Sequence, residues 1–323
     1  MILVIFLAIV LAINIGANNS AAEMGIAYGA GVRTLLEAVV LIAVFASLGA
    51  ITAGQPVIKT LGKGIVPEVL FRENLTNIFL ILSVTGVFII LANISKIPVA
   101  TTHVIVSAIA GIGLYHRQLN LTKLGEIVSF WLVTPMISLV GAYCLNKYLN
   151  YPLTSLLARL KSEQKIRKVL AFLVTVSGCY TAYSAGANNA ANSVGPIVGA
   201  GILGPKLAAG LAGLAMSLGA LLFGRRVIHT VGKEITELCI ICAILLEFLC
   251  GTIILVSSLL GMPVSLSQII TCGVIGVSWS RTGFNHTLKK ENVKKMAFFW
   301  VIGPFITVAI TYVLCVMLHI FHI

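Results

Sequence analysis

Ten apolar runs recur along the chain, at residues 1–15, 36–53, 76–95, 98–115, 124–146, 169–185, 207–224, 238–260, 263–279 and 297–321. Most are long enough to cross a hydrocarbon layer of about 30 Å as a helix. Hydrophobic residues make up 59% of the 323 and charged residues only 10%, more apolar sequence than a soluble core of this size can use. The pattern predicts an all-α polytopic membrane protein, multi-pass in the lipid bilayer of the cell membrane, here the cytoplasmic membrane of a prokaryote. Met1–Ile15 has no basic residue ahead of its apolar run and leads into a polar motif, so it is read as part of the mature first helix and not as a signal peptide.

The net charge of +12 does not point to nucleic acid. Lys147, Arg159, Lys161, Lys165, Arg167 and Lys168 crowd one connection, and Arg281, Lys289, Lys290, Lys294 and Lys295 another. That is the distribution of loops held on the cytoplasmic side. Arg225 and Arg226 fit the same topological role better than a role in attracting anions. Cys239 and Cys242 form a C-x-x-C with no second pair and no nearby histidines, so packing is expected there, and no metal site.

A gapless self-alignment at an offset of 170 residues sets Gly16-Ala17-Asn18-Asn19 against Gly186-Ala187-Asn188-Asn189. Gly25, Gly29, Ala30 and Gly31 fall on Gly195, Gly199, Ala200 and Gly201; Ser47-Leu48-Gly49-Ala50 fall on Ser217-Leu218-Gly219-Ala220; Gly62 and Lys63 fall on Gly232 and Lys233. Further on, Pro98 to His103 lines up with Pro263 to Gln268, and Phe130, Trp131 and Pro135 with Phe299, Trp300 and Pro304. The chain therefore divides into a first transmembrane repeat at 1–146, a basic cytoplasmic linker at 147–168 and a second repeat at 169–323. Five crossings per repeat would set the second upside down relative to the first, giving two inverted-topology repeats. Residues 1–34 and 169–203 would each run near 51 Å as unbroken helix at about 1.5 Å per residue. Broken or re-entrant helices at the midplane are therefore expected at the glycines and paired asparagines.

Four polar clusters interrupt the apolar runs: Asn18, Asn19, Ser20 and Glu23; Thr101, Thr102 and His103; Asn188, Asn189, Asn192 and Ser193; Ser265, Ser267 and Gln268. Amides, hydroxyls and freed helix N-termini are mostly donors, the parts of an anion site. The chain contains no aspartate, and its ten acids are all glutamate. A site of donors with few carboxylates suits a fully ionised, acceptor-only anion such as sulfate, whereas phosphate near neutral pH keeps a proton that seeks an acceptor. Glu23 stands one helical turn after Asn19 and is the candidate for proton coupling, with His103 as runner-up.

With these residues in view, the sequence resembles the inorganic phosphate transporter (PiT) family. Its G-A-N-D-x-A-N-A signature appears as Gly-Ala-Asn-Asn-Ser-Ala-Ala-Glu at 16–23 and Gly-Ala-Asn-Asn-Ala-Ala-Asn-Ser at 186–193. Its P-V-S-T-T-H element appears at Pro98 to His103 and, degenerate, at Pro263 to Gln268. The resemblance implies transport of phosphate with sodium or protons through the signature residues. Asn19 and Asn189 occupy the signature's Asp positions, Ala22 replaces an Asn, and Glu23 stands where a small residue is usual. Asn14 to Ala17, Met24 to Gly29, Gly219 to Arg226 and Gly261 to Val264 look closer to the family's sulfate permease branch.

The expectation is a secondary active transporter for a tetrahedral oxyanion, sulfate ahead of phosphate, with H+ or Na+ as coupling ion and no cofactor. The alternatives are a sodium- or proton-coupled phosphate symporter and, below it, a passive anion channel. An enzyme is not expected: H-E-x-x-H is absent, aspartate-rich motifs are impossible, and catalysis rarely needs both halves to match. The G-x-x-x-G spacings at Gly25 and Gly29 and at Gly195 and Gly199 permit a homodimer.

Overall fold

A computed structural model of the chain describes residues 1–94, 100–224, 239–283 and 291–320. Pro98, Val99, Arg225, Arg226, Gly232, Lys233, Lys289 and Lys290 of the sequence reading lie outside them. The helices are α1 (Ile2–Gly29), α2 (Leu35–Ala53), α3 (Gln55–Lys63), α4 (Val69–Arg72), α5 (Leu75–Ile94), α6 (Thr101–Tyr115), α7 (Leu121–Ala158), α8 (Glu163–Asn189), α9 (Ala191–Gly199), α10 (Pro205–Gly219), α11 (Ile240–Leu259), α12 (Leu266–Thr282) and α13 (Glu291–Ile320). A π-helical turn at Ala220–Gly224 continues α10. Among the described residues there is no strand. Among the described residues, seven spans are long and apolar enough to cross a membrane: α1, α2, α7, α8 with α9, α10 with its π turn, α11, and Trp300–Ile320 of α13.

These helices are built inside out relative to those of a soluble protein. In α2 the buried residues include Ala38, Ala46, Gly49, Ala50 and Ala53, while Leu36, Val40, Val44 and Leu48 lie exposed at four-residue spacing. Small residues let helix backbones approach, and the large aliphatic stripe is the face for lipid. α7 repeats the pattern, with Leu132, Met136 and Val140 exposed.

The helix breaks differ from the sequence expectation. α1 runs through Gly16–Asn19 without interruption, and in the second half α8 gives way to α9 only at Ala190, whose angles stay helical. The interruptions that matter lie at the other pair of motifs. α6 starts at Thr101 and α12 at Leu266, each after extended backbone, and both starts are buried inside the protein. α6, with 15 residues, reaches only about 22 Å at 1.5 Å per residue, short of a full crossing. The turn leaving α11 uses Gly261 at φ +72°, a backbone angle that a side chain would strain.

The basic segment 147–168 is mostly helical. α7 extends to Ala158 and α8 begins at Glu163, leaving only Arg159–Ser162 as connection. Cys239 and Cys242, expected to serve packing, are instead joined in a disulfide. Cys239 is the N-cap of α11, and that turn brings the two Cα atoms to 5.2 Å.

The two halves exchange partners. α2 packs on α8 and α10 on α1; α6 packs on α13 and α12 on α7; within each half, α5 lies on α1 and α11 on α8. Ser47 and Ser217, related by the 170-residue offset, meet hydroxyl to hydroxyl at 2.9 Å. Four glycines repeat this reciprocity. A Cβ on Gly16 would stand 1.9 Å from the Met216 carbonyl oxygen, and one on Gly186 would stand 2.0 Å from that of Ala46. At Gly49 and Gly219 the intruded carbonyls are those of Tyr183 and Ile13, at 1.8 and 1.9 Å. Every pair maps onto its mate by adding 170 to one position and subtracting it from the other.

Candidate functional site

The second-half motif, the start of α6 and the α11–α12 connection meet in one buried polar cluster. Thr102 Oγ1 donates to the Val264 carbonyl at 2.9 Å, and Asn192 Nδ2 donates to Thr102 Oγ1 at 3.1 Å and to Asn189 Oδ1 at 3.3 Å. This chain fixes the amide orientations. Thr102 has one proton and gives it to Val264, so it can only accept from Asn192, which must present its NH2 group. That group takes the Asn189 oxygen, and Asn189 is left with an NH2 group that has no partner although the residue is only 1% exposed.

Asn188, its neighbour, is spent entirely on structure. Its Nδ2 donates to Ser258 Oγ at 2.9 Å and to the Met262 carbonyl at 3.2 Å, and its Oδ1 accepts from the Val264 N–H at 3.1 Å. It clasps the α11–α12 connection to α8. Ser193 turns its hydroxyl back to the Ala190 carbonyl, and Ser20 does the same to Ala17. Ser265 bonds Ser267 at 3.0 Å and caps α12 by accepting from the Gln268 N–H. The Gln268 side-chain oxygen and Asn192 Oδ1 are buried acceptors without a partner. By contrast, Ala100, which precedes α6, offers no side-chain cap, so the positive end of that helix is buried and uncovered beside Thr101 and Thr102.

The first-half motif lies on α1, which packs against α8, α9 and α12. Asn19 is 5% exposed and its Nδ2 has no partner, matching Asn189 at the equivalent position; Asn18 is half-buried. Glu23 is fully buried with Oε2 unpartnered. Among the described residues, no hydrogen bond joins Asn18, Asn19, Ser20 or Glu23 to the cluster around Thr102. His103 is stacked on Trp131 at 3.8 Å between ring centroids, with Gln268 and the Trp300 main chain as polar neighbours.

Sequence reasoning missed Trp131, whose Nε1 donates to the Pro263 carbonyl at 2.9 Å and so ties α7 to the α11–α12 connection. Trp131→Phe keeps the ring but leaves that buried carbonyl unpaired. Thermal unfolding in detergent should show a loss of about 1–3 kcal/mol. Glu247, mid-way along α11 and accepting from Ser177 on α8, was also missed. Its signal was present as the one acid inside the 238–260 apolar run.

The sulfate permease CysP of Bacillus subtilis (strain 168) is 36% identical over 311 residues, covering 96% of this chain and 86% of its own. The chloroplastic inorganic phosphate transporter 2-1 of Arabidopsis thaliana is 24% identical over 395 residues, covering 90% of this chain and 67% of its own. A solved structure described as the sodium-dependent phosphate transporter matches with a TM-score of 0.80 at 24% identity, over 99% of this chain and 100% of that one, which establishes the fold. Residues 15–311 match the phosphate transporter family. Spans, paired motifs and relatives thus converge: the chain belongs to the phosphate transporter family and is a multi-pass membrane permease, not an enzyme.

Proposed function

We propose that the chain takes up sulfate across the cytoplasmic membrane, coupled to protons, through a site formed where two repeats of inverted topology meet. The observation that carries this reading is the pair of buried amide NH2 groups, on Asn19 and Asn189, that have no partner among the described residues. They occupy equivalent positions in the two halves, where the family signature carries aspartates. Two amide donors where the signature carries aspartates suit an anion whose oxygens only accept. The uncapped start of α6 and the hydroxyls of Thr101, Ser265 and Ser267 complete the donor set. Asn188, Thr102, Asn192, Ser20 and Ser193 hold the surrounding backbone in place. Glu23 is the coupling carboxylate in this reading, and His103, packed on Trp131, is the lesser candidate. The similarity to a protein named as a sulfate permease supports the choice of anion.

A second reading, phosphate carried with sodium, draws support from the unpartnered acceptors Asn192 Oδ1 and Gln268 Oε1, which could hold a small cation or a protonated phosphate oxygen. Uptake of radiolabelled sulfate and phosphate into proteoliposomes, with and without sodium or pH gradients, separates the two. The expected result is sulfate uptake driven by an inward proton gradient and indifferent to sodium. Strong phosphate uptake that excess sulfate does not compete would refute the sulfate assignment.

A further inference from the structure

We infer that Glu247 and Ser177 form a second proton-carrying site, between α8 and α11 and separate from the substrate motifs. The inference rests on the proposal of proton-coupled transport and names a place for the proton beyond Glu23. Glu247 is 3% exposed in a helix that carries no other charged residue. Its Oε2 meets Ser177 Oγ, while its Oε1 has no partner. Thr181, one turn further along α8, donates to the Glu247 main-chain carbonyl at 3.2 Å, so side chain and backbone of the same residue are both tied to α8.

The proton inventory at Ser177 is what points to a switch. The hydroxyl has one proton and two acceptors within reach, Glu247 Oε2 and the Val174 carbonyl at 3.1 Å. With Glu247 ionised, the hydroxyl turns to the carboxylate. With Glu247 protonated, the carboxyl donates to Ser177 Oγ and the hydroxyl proton passes to Val174. Each protonation state has its own hydrogen-bond pattern, and rotation of one hydroxyl converts them.

Among the described residues, no ion pair holds Glu247. The elements packed on α11 are α2, α3, α7, α8 and α12. The titratable groups facing Glu247 from α8 and from its own helix are the thiols of Cys179 and Cys250. Arg33 reaches Cys179 but is committed to Thr175 and Glu37. A carboxylate buried without a counter-charge is costly, and a bound proton removes that cost until the site opens to water. Ser177 is followed by Gly178, against which the main chain of Glu23 lies: a Cβ at Gly178 would stand 2.9 Å from the Glu23 carbonyl oxygen. The two buried glutamates therefore flank the same level of α8, and α8 carries Asn188 and Asn189 at its far end. Gain or loss of the Glu247 proton is transmitted along that helix to the anion site.

The test compares wild type, Glu247→Gln and Ser177→Ala as full-length proteins in proteoliposomes. Glu247→Gln should lower proton-gradient-driven sulfate accumulation about tenfold or more while sulfate counterflow at equal pH stays within about twofold of wild type. Infrared difference spectra of wild type, taken against pH without substrate, should show a protonated-carboxyl band that Glu247→Gln lacks. Ser177→Ala should keep the band and shift the pH at which it disappears, which tests the tie even if the glutamine variant fails to fold. Unchanged gradient-driven accumulation in Glu247→Gln, an identical band in that variant, or an unshifted band in Ser177→Ala would each overturn the assignment. Because the spectra need no anion, absence of sulfate transport would sink the functional proposal and leave the Glu247 test standing.

Discussion

Replacing Asn189 with alanine should cut sulfate uptake about ten- to hundredfold and lower the melting temperature far less than Asn188→Ala, which should unfold the protein more readily. The two residues are adjacent and equally buried, yet their amides are used in opposite ways. Among the described residues Asn189 Nδ2 has no partner, and its Oδ1 accepts only from Asn192 Nδ2, which also has Thr102 Oγ1 as acceptor, so its removal costs the protein one hydrogen bond and a guest its donor. A hydrogen bond to a charged group is worth about 1.5–3 kcal/mol, and each 1.4 kcal/mol is tenfold in affinity. Asn188 serves Ser258, Met262 and Val264, and its loss strands the Val264 N–H and the Met262 carbonyl in the interior. Each stranded group costs about 1–3 kcal/mol, so several kcal/mol of stability should go. Asn19→Ala should behave like Asn189→Ala. Scanning calorimetry beside transport measurements on the three variants checks the contrast; an Asn189→Ala protein destabilised as much as Asn188→Ala would overturn it.

Alanine at Gly49 or Gly219 should be at least as damaging to stability as Asn188→Ala. The added methyl would lie 1.8 Å from the Tyr183 carbonyl oxygen at Gly49 and 1.9 Å from that of Ile13 at Gly219. The opposing atom is backbone within a helix, so it cannot step aside as a side-chain tip can. Whole helices must separate, and the loss should reach about 3 kcal/mol or more, the upper end for overpacking. Gly86→Ala is the control, because a methyl there meets nothing within 4 Å. Size-exclusion profiles and melting curves of the three variants decide the matter: equal stability of Gly49→Ala and Gly86→Ala would contradict the close contact.

The apolar runs were legible as helices because a chain in lipid has few other ways to satisfy its backbone. The repeated motifs were equally legible, since they fall on equivalent helices. The break point was not. Gly16 and Gly186 read as helix breakers, but the structure uses their missing side chains to seat Met216 and Ala46, and the helices continue. A glycine chosen for close approach and one chosen for a bend look alike in sequence. The division of labour between Asn188 and Asn189 was hidden for a different reason: it depends on Val264, 76 residues away. Glu247 could have been found from its isolation in an apolar run. The internal symmetry does not point to it, because at the offset that relates Pro98 to Pro263 its counterpart in the first half is the apolar Leu82.

The exchange of partners between the halves bears on how the chain is made. As α1 and α2 leave the ribosome and enter the bilayer, the surfaces that will cover them, on α10 and α8, have not yet been synthesised. Early helices must wait in lipid with their glycine-lined seams open, and the interior closes only once the later half arrives and threads between them. Assembly is thus a late, concerted docking event, in which a stall in translation would expose polar seams to the membrane.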